Sequence, residues 1–151
     1  MTHEAITAYK DSGNRFVAIA KASDDALMAK VPAEHEWNGA YIIHHMADFE
    51  IHFAHRILRL LTEENPEIAG YSEEPYPKNL NYADRNWRTS LDLIEATRKT
   101  ISDVLARIDA SALARPGVHS ERGAITVADI VSSAAKHISA HAEQLEAALA
   151  S

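Results

Sequence analysis

The sequence predicts an all-α fold, a four-helix bundle built as a single domain over residues 1–151. Two observations carry this. Four stretches of about 20 residues or more repeat apolar side chains at steps of three and four, the mark of an amphipathic helix. The composition agrees: alanine-rich runs punctuated by Leu and Ile dominate, with only 5 Gly and 5 Pro in the chain. Alanine and unbranched side chains lose least entropy in a helix, and four one-sided helices bury their stripes against one another.

The first helix is expected from His3 to Ala22, with Ile6, Tyr9, Phe16, Ile19 and Ala20 inward. Gly13 and Asn14 weaken its middle, which makes a kink or a late start conceivable. Ser23-Asp24-Asp25 reads as the cap of a short helical turn ending before Pro32. The second long helix is expected from Asn38, a suitable N-cap, to Leu61, with a stripe of Ile42, Met46, Phe49, Phe53, Ile57 and Leu60. Residues Asn65–Leu80 hold three prolines and a glycine and are long enough to cross the bundle lengthwise.

The third helix is expected from Tyr82 to Ile108, through Trp87, Leu91, Ile94, Ile101, Val104 and Leu105. Asp109–Ile125, with Pro116, Gly117 and Gly123, reads as an ordered loop. The fourth helix is expected over Val127–Ala150, opened by Thr126 with Asp129 in a near capping box. A weak echo is visible between Ser23–His45 and Ser111–His141: a short Leu-bearing turn, a proline, a loop and a His-bearing helix.

Composition narrows function. Apolar residues make up 46% and charged residues 25%, the balance of an ordinary globular protein. No run is long and apolar enough for a membrane span, and the start MTHEAITAYKD lacks the features of a signal peptide. A cytoplasmic location is expected. No cysteine is present, which excludes disulfides, thiolate metal sites and a cysteine nucleophile. The formal net charge of -7, with no dense basic stripe, argues against nucleic acid as a partner.

The 9 histidines carry the functional signal. His137 and His141 are four apart on the fourth helix, which places their Cβ atoms about 5–6 Å apart on one face. Ile130, Ala134, Ile138 and Leu145 make that the inner face. His45 lies between Ile42 and Phe49 and also points inward. Three inward histidines on two helices can build an interior metal site, and imidazole suits Zn, Ni, Fe and Cu better than Mg or Ca. The competing reading is a set of core histidines satisfied by other polar groups.

Three runs match a known pattern in order and spacing. Glu36-Trp37-Asn38 through His44-His45-Met46-Ala47-Asp48-Phe49-Glu50 resembles W-S-x(5)-G-H-L-A-D-x-E; Gly117-Val118-His119-Ser120-Glu121-Arg122-Gly123 resembles G-x-H-P-E-x-G; His137 to Leu145 resembles H-x-x-x-H-x-x-Q-[IL]. In combination the chain resembles the DinB-like (YfiT-like) proteins over nearly its whole length. The resemblance implies up-down-down-up connections and one divalent ion on His45, His137 and His141, with Zn or Ni ahead of Fe or Mn. His44 replaces the usual Gly and adds an alternative ligand, while Asn38 and Ser120 replace Ser and Pro.

Three neutral imidazoles leave coordination positions open, as in catalytic sites. The resemblance implies thiol-dependent S-transfer to a small electrophile, with a low-molecular-weight thiol as cosubstrate. A metal-dependent hydrolase is the alternative, followed by a non-catalytic metal-binding bundle or an interaction module. A small-molecule substrate and a homodimer are expected, with no membrane partner.

His52, two turns from His45, is the candidate catalytic residue, as a proton shuttle or a neighbour of the ligands. Asp48 and Glu50 either orient an imidazole or, the plainer expectation, are solvated acids. Trp37 anchors the entry to the second helix, and Gln144 matches the pattern or bonds to a neighbouring helix. His119 either caps a helix end or approaches the site. His35 and His55 read as surface residues.

Overall fold

The computed structural model describes residues 3–150. Helix α1 (Glu4–Lys21) is capped by His3, whose Nδ1 accepts from the Ala5 N–H. It passes through Gly13 without a break. A Cβ at Gly13 would lie 3.0 Å from Cδ of Arg98, so the missing side chain makes room for that arginine and does not bend the helix. Asp24 caps the short helix α2 (Asp25–Ala29). Asn38 caps α3 (Gly39–Thr62) through the Tyr41 N–H, 2.9 Å away.

The connection after α3 carries the two-residue strand β1 (Glu67–Ile68) and a single helical turn, α4 (Tyr76–Asn79). Helix α5 (Trp87–Arg107) starts five residues later than the spacing predicts, because Asn86 supplies the cap to Arg88 and Thr89. Tyr82 belongs instead to the turn before it and is buried. The expected loop over 109–125 contains a 3₁₀ turn (Ala110–Ala114) and two strands, β2 (Pro116–His119) and β3 (Gly123–Thr126). Gly123 closes that hairpin at φ +74°, a conformation that costs other side chains energy. Helix α6 (Val127–Ala150) opens on the reciprocal capping box of Thr126 and Asp129.

The four long helices form a ring in which α1 packs on α5 and α6, and α3 packs on the same two. Their contacts fix the directions. Ascending α3 positions meet ascending α5 positions, His44 with Ser90 and Glu50 with Arg98, so these two run parallel. On α6 the order is reversed: a Cβ at Gly39 would touch Leu149 and Leu145, while His45 meets His141 and Phe49 meets His137. The start of α1 shares a cluster with the start of α6, and its end shares one with the end of α6. The bundle is therefore up-down-down-up, and the parallel pair requires the long crossover between α3 and α5.

In the small sheet β1 runs parallel to β2, with Ile68 opposite His119, and β2 runs antiparallel to β3. Both long connections are thereby tied together. The core divides into two apolar clusters, and Phe49 packs against both. Among the described residues no helix is long and apolar enough to cross a membrane.

Candidate metal centre

At the level of Phe49 the apolar core gives way to imidazoles. His45 on α3 is 4% exposed, with its ring 5.2 Å from that of Trp37. His137 and His141 on α6 are half-buried, and the His137 ring lies 4.2 Å from that of Phe49. Their Nε2 atoms form a near-equilateral triangle: 3.3 Å from His45 to His137, 3.1 Å from His45 to His141, and 3.1 Å from His141 to His137.

The outer nitrogens explain how the triangle is set. His141 Nδ1 donates to Gln144 Oε1 at 2.7 Å, leaving a lone pair on Nε2. His45 Nδ1 faces a Glu73 carboxylate oxygen at 3.5 Å, an acceptor that favours the same tautomer. Nδ1 of His137 is buried with no hydrogen-bond partner among the described residues. Lone pairs converging at 3.1 Å repel one another, and a shared cation relieves that repulsion. Ligands about 2.0–2.1 Å from a tetrahedral ion would stand about 3.3–3.4 Å apart, and an octahedral ion would bring them to about 3.0 Å. The observed triangle lies between these values and fits a divalent ion.

Electrostatics point the same way. Burial, then the neighbouring His141, lowers the His45 pKa from 6.5 to about 4. Burial, then His141 and His45, lowers that of His137 to about 3. Both rings are neutral at neutral pH, the form that ligates metal.

The other sequence candidates separate clearly. His44 faces α5, where Nδ1 pairs with Ser90 Oγ at 2.8 Å, so it brings no fourth imidazole to the triangle. Asp48 and Glu50 are not solvated acids. Asp48, 7% exposed, accepts from the Tyr82 hydroxyl at 2.7 Å and from Arg85. Glu50, fully buried, accepts from Arg98 Nε at 2.7 Å. Asp48 ties α3 to the turn before α5, Glu50 ties α3 to α5 itself, and neither orients an imidazole.

His52 lies outside the triangle. Its Nε2 pairs with the Tyr76 hydroxyl at 2.8 Å and its ring stacks on Tyr71 at 3.7 Å, which fastens the crossover to α3. Trp37 lies against His45, Tyr41 and Tyr82, as an anchor should. Gln144 serves its own helix by holding His141. His35 and His55 are exposed. Sequence reasoning missed Glu73, Tyr71 and Tyr76, which the crossover brings to α3; a tyrosine- and glutamate-bearing segment after a histidine-rich helix was the available signal.

A cleft of about 320 Å³ opens beside His137, lined by Phe49, Phe53, Arg56, Tyr71, Glu73, His119 and Arg122 among others. A larger groove of about 800 Å³ runs between α1 and α5, away from the imidazoles.

YfiT from Bacillus subtilis, whose structure is described as that of a probable metal-dependent hydrolase with an unusual four-helix bundle topology, superposes with a TM-score of 0.78. The match covers 95% of this chain and 84% of that one at 19% identity, a likeness of fold. A protein of Oceanobacillus iheyensis named "Putative metal-dependent hydrolase" is 26% identical over 149 residues, 97% of this chain and 84% of the relative. A second Oceanobacillus protein of the same description is 32% identical over 91 residues, 60% of this chain and 52% of the relative. The model of the DinB superfamily matches residues 8–145, and the chain belongs to that superfamily.

Proposed function

We propose that this protein is a metal-dependent hydrolase of small molecules that holds one divalent ion on Nε2 of His45, His137 and His141. The triangle of converging Nε2 atoms, 3.1–3.3 Å on a side, carries this reading. Among the described residues these three form a group able to hold an ion. An all-imidazole set suits Zn or Ni, then Fe, better than the oxygen-preferring Mg, Ca and Mn. Such an ion, with coordination positions left open, supplies Lewis acidity and lowers the pKa of water toward neutrality.

The chain's own residues provide the setting. Gln144 holds the Nδ1–H tautomer of His141, and the Glu73 carboxylate 3.5 Å from His45 Nδ1 favours the same tautomer there, which aims both lone pairs inward. Phe49 and Trp37 pack on the rings and restrict their rotation. His52 holds Tyr71 and Tyr76, and so keeps Glu73 over the site; we assign it that positioning task ahead of proton transfer. The cleft admits a small molecule against Phe49 and Phe53.

The names borne by the Oceanobacillus relatives support hydrolysis ahead of the thiol transfer that sequence resemblance favoured. Elemental analysis of protein purified without a histidine tag should give about one divalent ion per chain, lost in His137→Ala and His141→Ala. Unchanged metal content in those variants would end the model. The loaded protein, assayed on esters, amides and lactones and in parallel on thiols with epoxides, should consume the first group. Turnover of thiols alone would replace hydrolysis with thiol transfer.

A further inference from the structure

His119 ends strand β2 and is only 6% exposed, although it sits in a short hairpin. Its Nδ1 accepts two backbone hydrogen bonds, from Glu121 N–H at 3.1 Å and Arg122 N–H at 3.2 Å. A ring nitrogen that accepts two N–H groups carries no proton, so the neutral ring carries its proton on Nε2. Adding a proton at Nδ1 would set it against both amides. Burial and the nearby Arg56 and Arg122 also disfavour the cation, with Glu121 opposing them.

The ring lines the same cleft as His137, and Nε2 has no hydrogen-bond partner among the described residues. With Nδ1 turned into its own turn, Nε2–H is the polar group the ring offers to the cleft. Its direction is fixed: it can donate, but it has no lone pair with which to act as a base. Around it stand Arg56 and Arg122 against Glu73 and Glu121, so the cleft has no surplus of positive charge for a phosphate dianion. The Arg56 guanidinium is already committed to the Ala69 carbonyl at 2.8 Å.

Building on the hydrolase reading, we propose that His119 Nε2–H donates a hydrogen bond to the oxygen of a small carboxylic-acid derivative or its carboxylate product bound in this cleft. The apolar part of that ligand rests on Phe49 and Phe53. His119 would thereby select an oxygen acceptor and orient it beside the His137 edge of the triangle.

Two substitutions separate this role from a structural one. In His119→Asn the amide oxygen can take over the two backbone N–H bonds, while the side chain no longer reaches the cleft. In His119→Gln the amide NH₂ can reach the place of Nε2. The probe is acetate, added to the full chain labelled with ¹⁵N-histidine, both zinc-loaded and chelated. At pH 7 the His119 signals should show a bare Nδ1 and a protonated Nε2, and acetate should move the Nε2 resonance in both samples.

His119→Asn should weaken acetate binding about ten-fold, the worth of one hydrogen bond to a charged acceptor, and His119→Gln should restore most of it. A proton on Nδ1, an Nε2 signal indifferent to acetate, or equal affinity in wild type and His119→Asn would overturn the proposal. Phosphate binding more tightly than acetate would overturn the ligand class. Failure of zinc to bind would sink the metal reading alone, because the chelated sample still scores His119.

Discussion

Replacing Arg98 with methionine should destabilise the protein by up to about 3 kcal/mol at pH 7, and that deficit should shrink toward pH 5. Arg98 is 5% exposed, donates to Glu50 Oε1 at 2.7 Å and to the Tyr9 carbonyl at 3.1 Å, and lies over the Tyr9 ring at 4.1 Å. Without it, the fully buried Glu50 has no countercharge, and an uncompensated buried carboxylate is costlier than a protonated one. Burial already raises the Glu50 pKa above 4.5, and Arg98 opposes that rise. Keeping a carboxyl whose unfolded pKa is about 4.5 protonated at pH 7 costs about 1.4 × 2.5, or about 3.4 kcal/mol, and this is the ceiling on the difference because burial already raises the Glu50 pKa in the wild type.

The sign follows from the same arithmetic. The folded pKa of Glu50 in the variant stands above its unfolded value, so the penalty exists above the unfolded pKa and shrinks by about 1.4 kcal/mol per unit as pH falls toward it. Urea unfolding of wild type and Arg98→Met at pH 7 and pH 5 provides the measurement, since shared pH effects cancel in the difference. At an m-value of about 1.5 kcal/mol/M, the midpoint should fall by up to about 2 M at pH 7. Glu50→Gln combined with Arg98→Met should recover much of the loss. A deficit independent of pH, or one below about 1 kcal/mol at pH 7, would refute the reasoning.

Three further outcomes are expected. Gln144→Leu, which frees the His141 ring, should weaken zinc binding about 10–100-fold in a chelator competition; unchanged affinity would deny Gln144 its orienting role. Gly13→Ala should destabilise the fold in thermal unfolding despite a helix-propensity gain of about 1 kcal/mol, because the new Cβ meets an Arg98 side chain anchored on Glu50 and Tyr9. Metal-free protein should lose stability as pH falls from 6.5 toward 4, because burial and Arg85 hold the His44 pKa at about 4 while the unfolded chain takes up the proton. His44→Asn should flatten that slope by about 1.4 kcal/mol per pH unit, and an unaltered slope would count against it.

The helices were legible because their signals are local. Asn38, Asp24 and the Thr126–Asp129 pair announce caps within three residues, and steps of three and four sort the faces. The start of α5 falls five residues beyond the expected Tyr82, because the cap at Asn86 lies between Tyr82 and Trp87. Strands β2 and β3 escaped notice because eight residues around a proline and two glycines show no long alternation. The pairing of β2 with β1 joins positions about 50 residues apart.

The same distance hides the polar core. Glu50 reads as a solvated acid until Arg98 is brought beside it from α5. His137 and His141 declared themselves by spacing, and so did the inward direction of His45. The roles of Glu73 and His119 depend on where two long connections cross, which no local pattern encodes.

That crossing also bears on how the molecule is assembled in time. Hydrogen bonds within α1, α3, α5 and α6 join residues a turn apart and form quickly, whereas the β1–β2 ladder must first close a long stretch of chain. The imidazoles are thus carried on early-forming elements, and the hairpin that brings His119 to the cleft docks late. During synthesis β1 waits for β2, and His45 stands without its partner imidazoles until His137 and His141 have emerged. The two long connections are also the parts most open to revision, since insertions there need not disturb the helices.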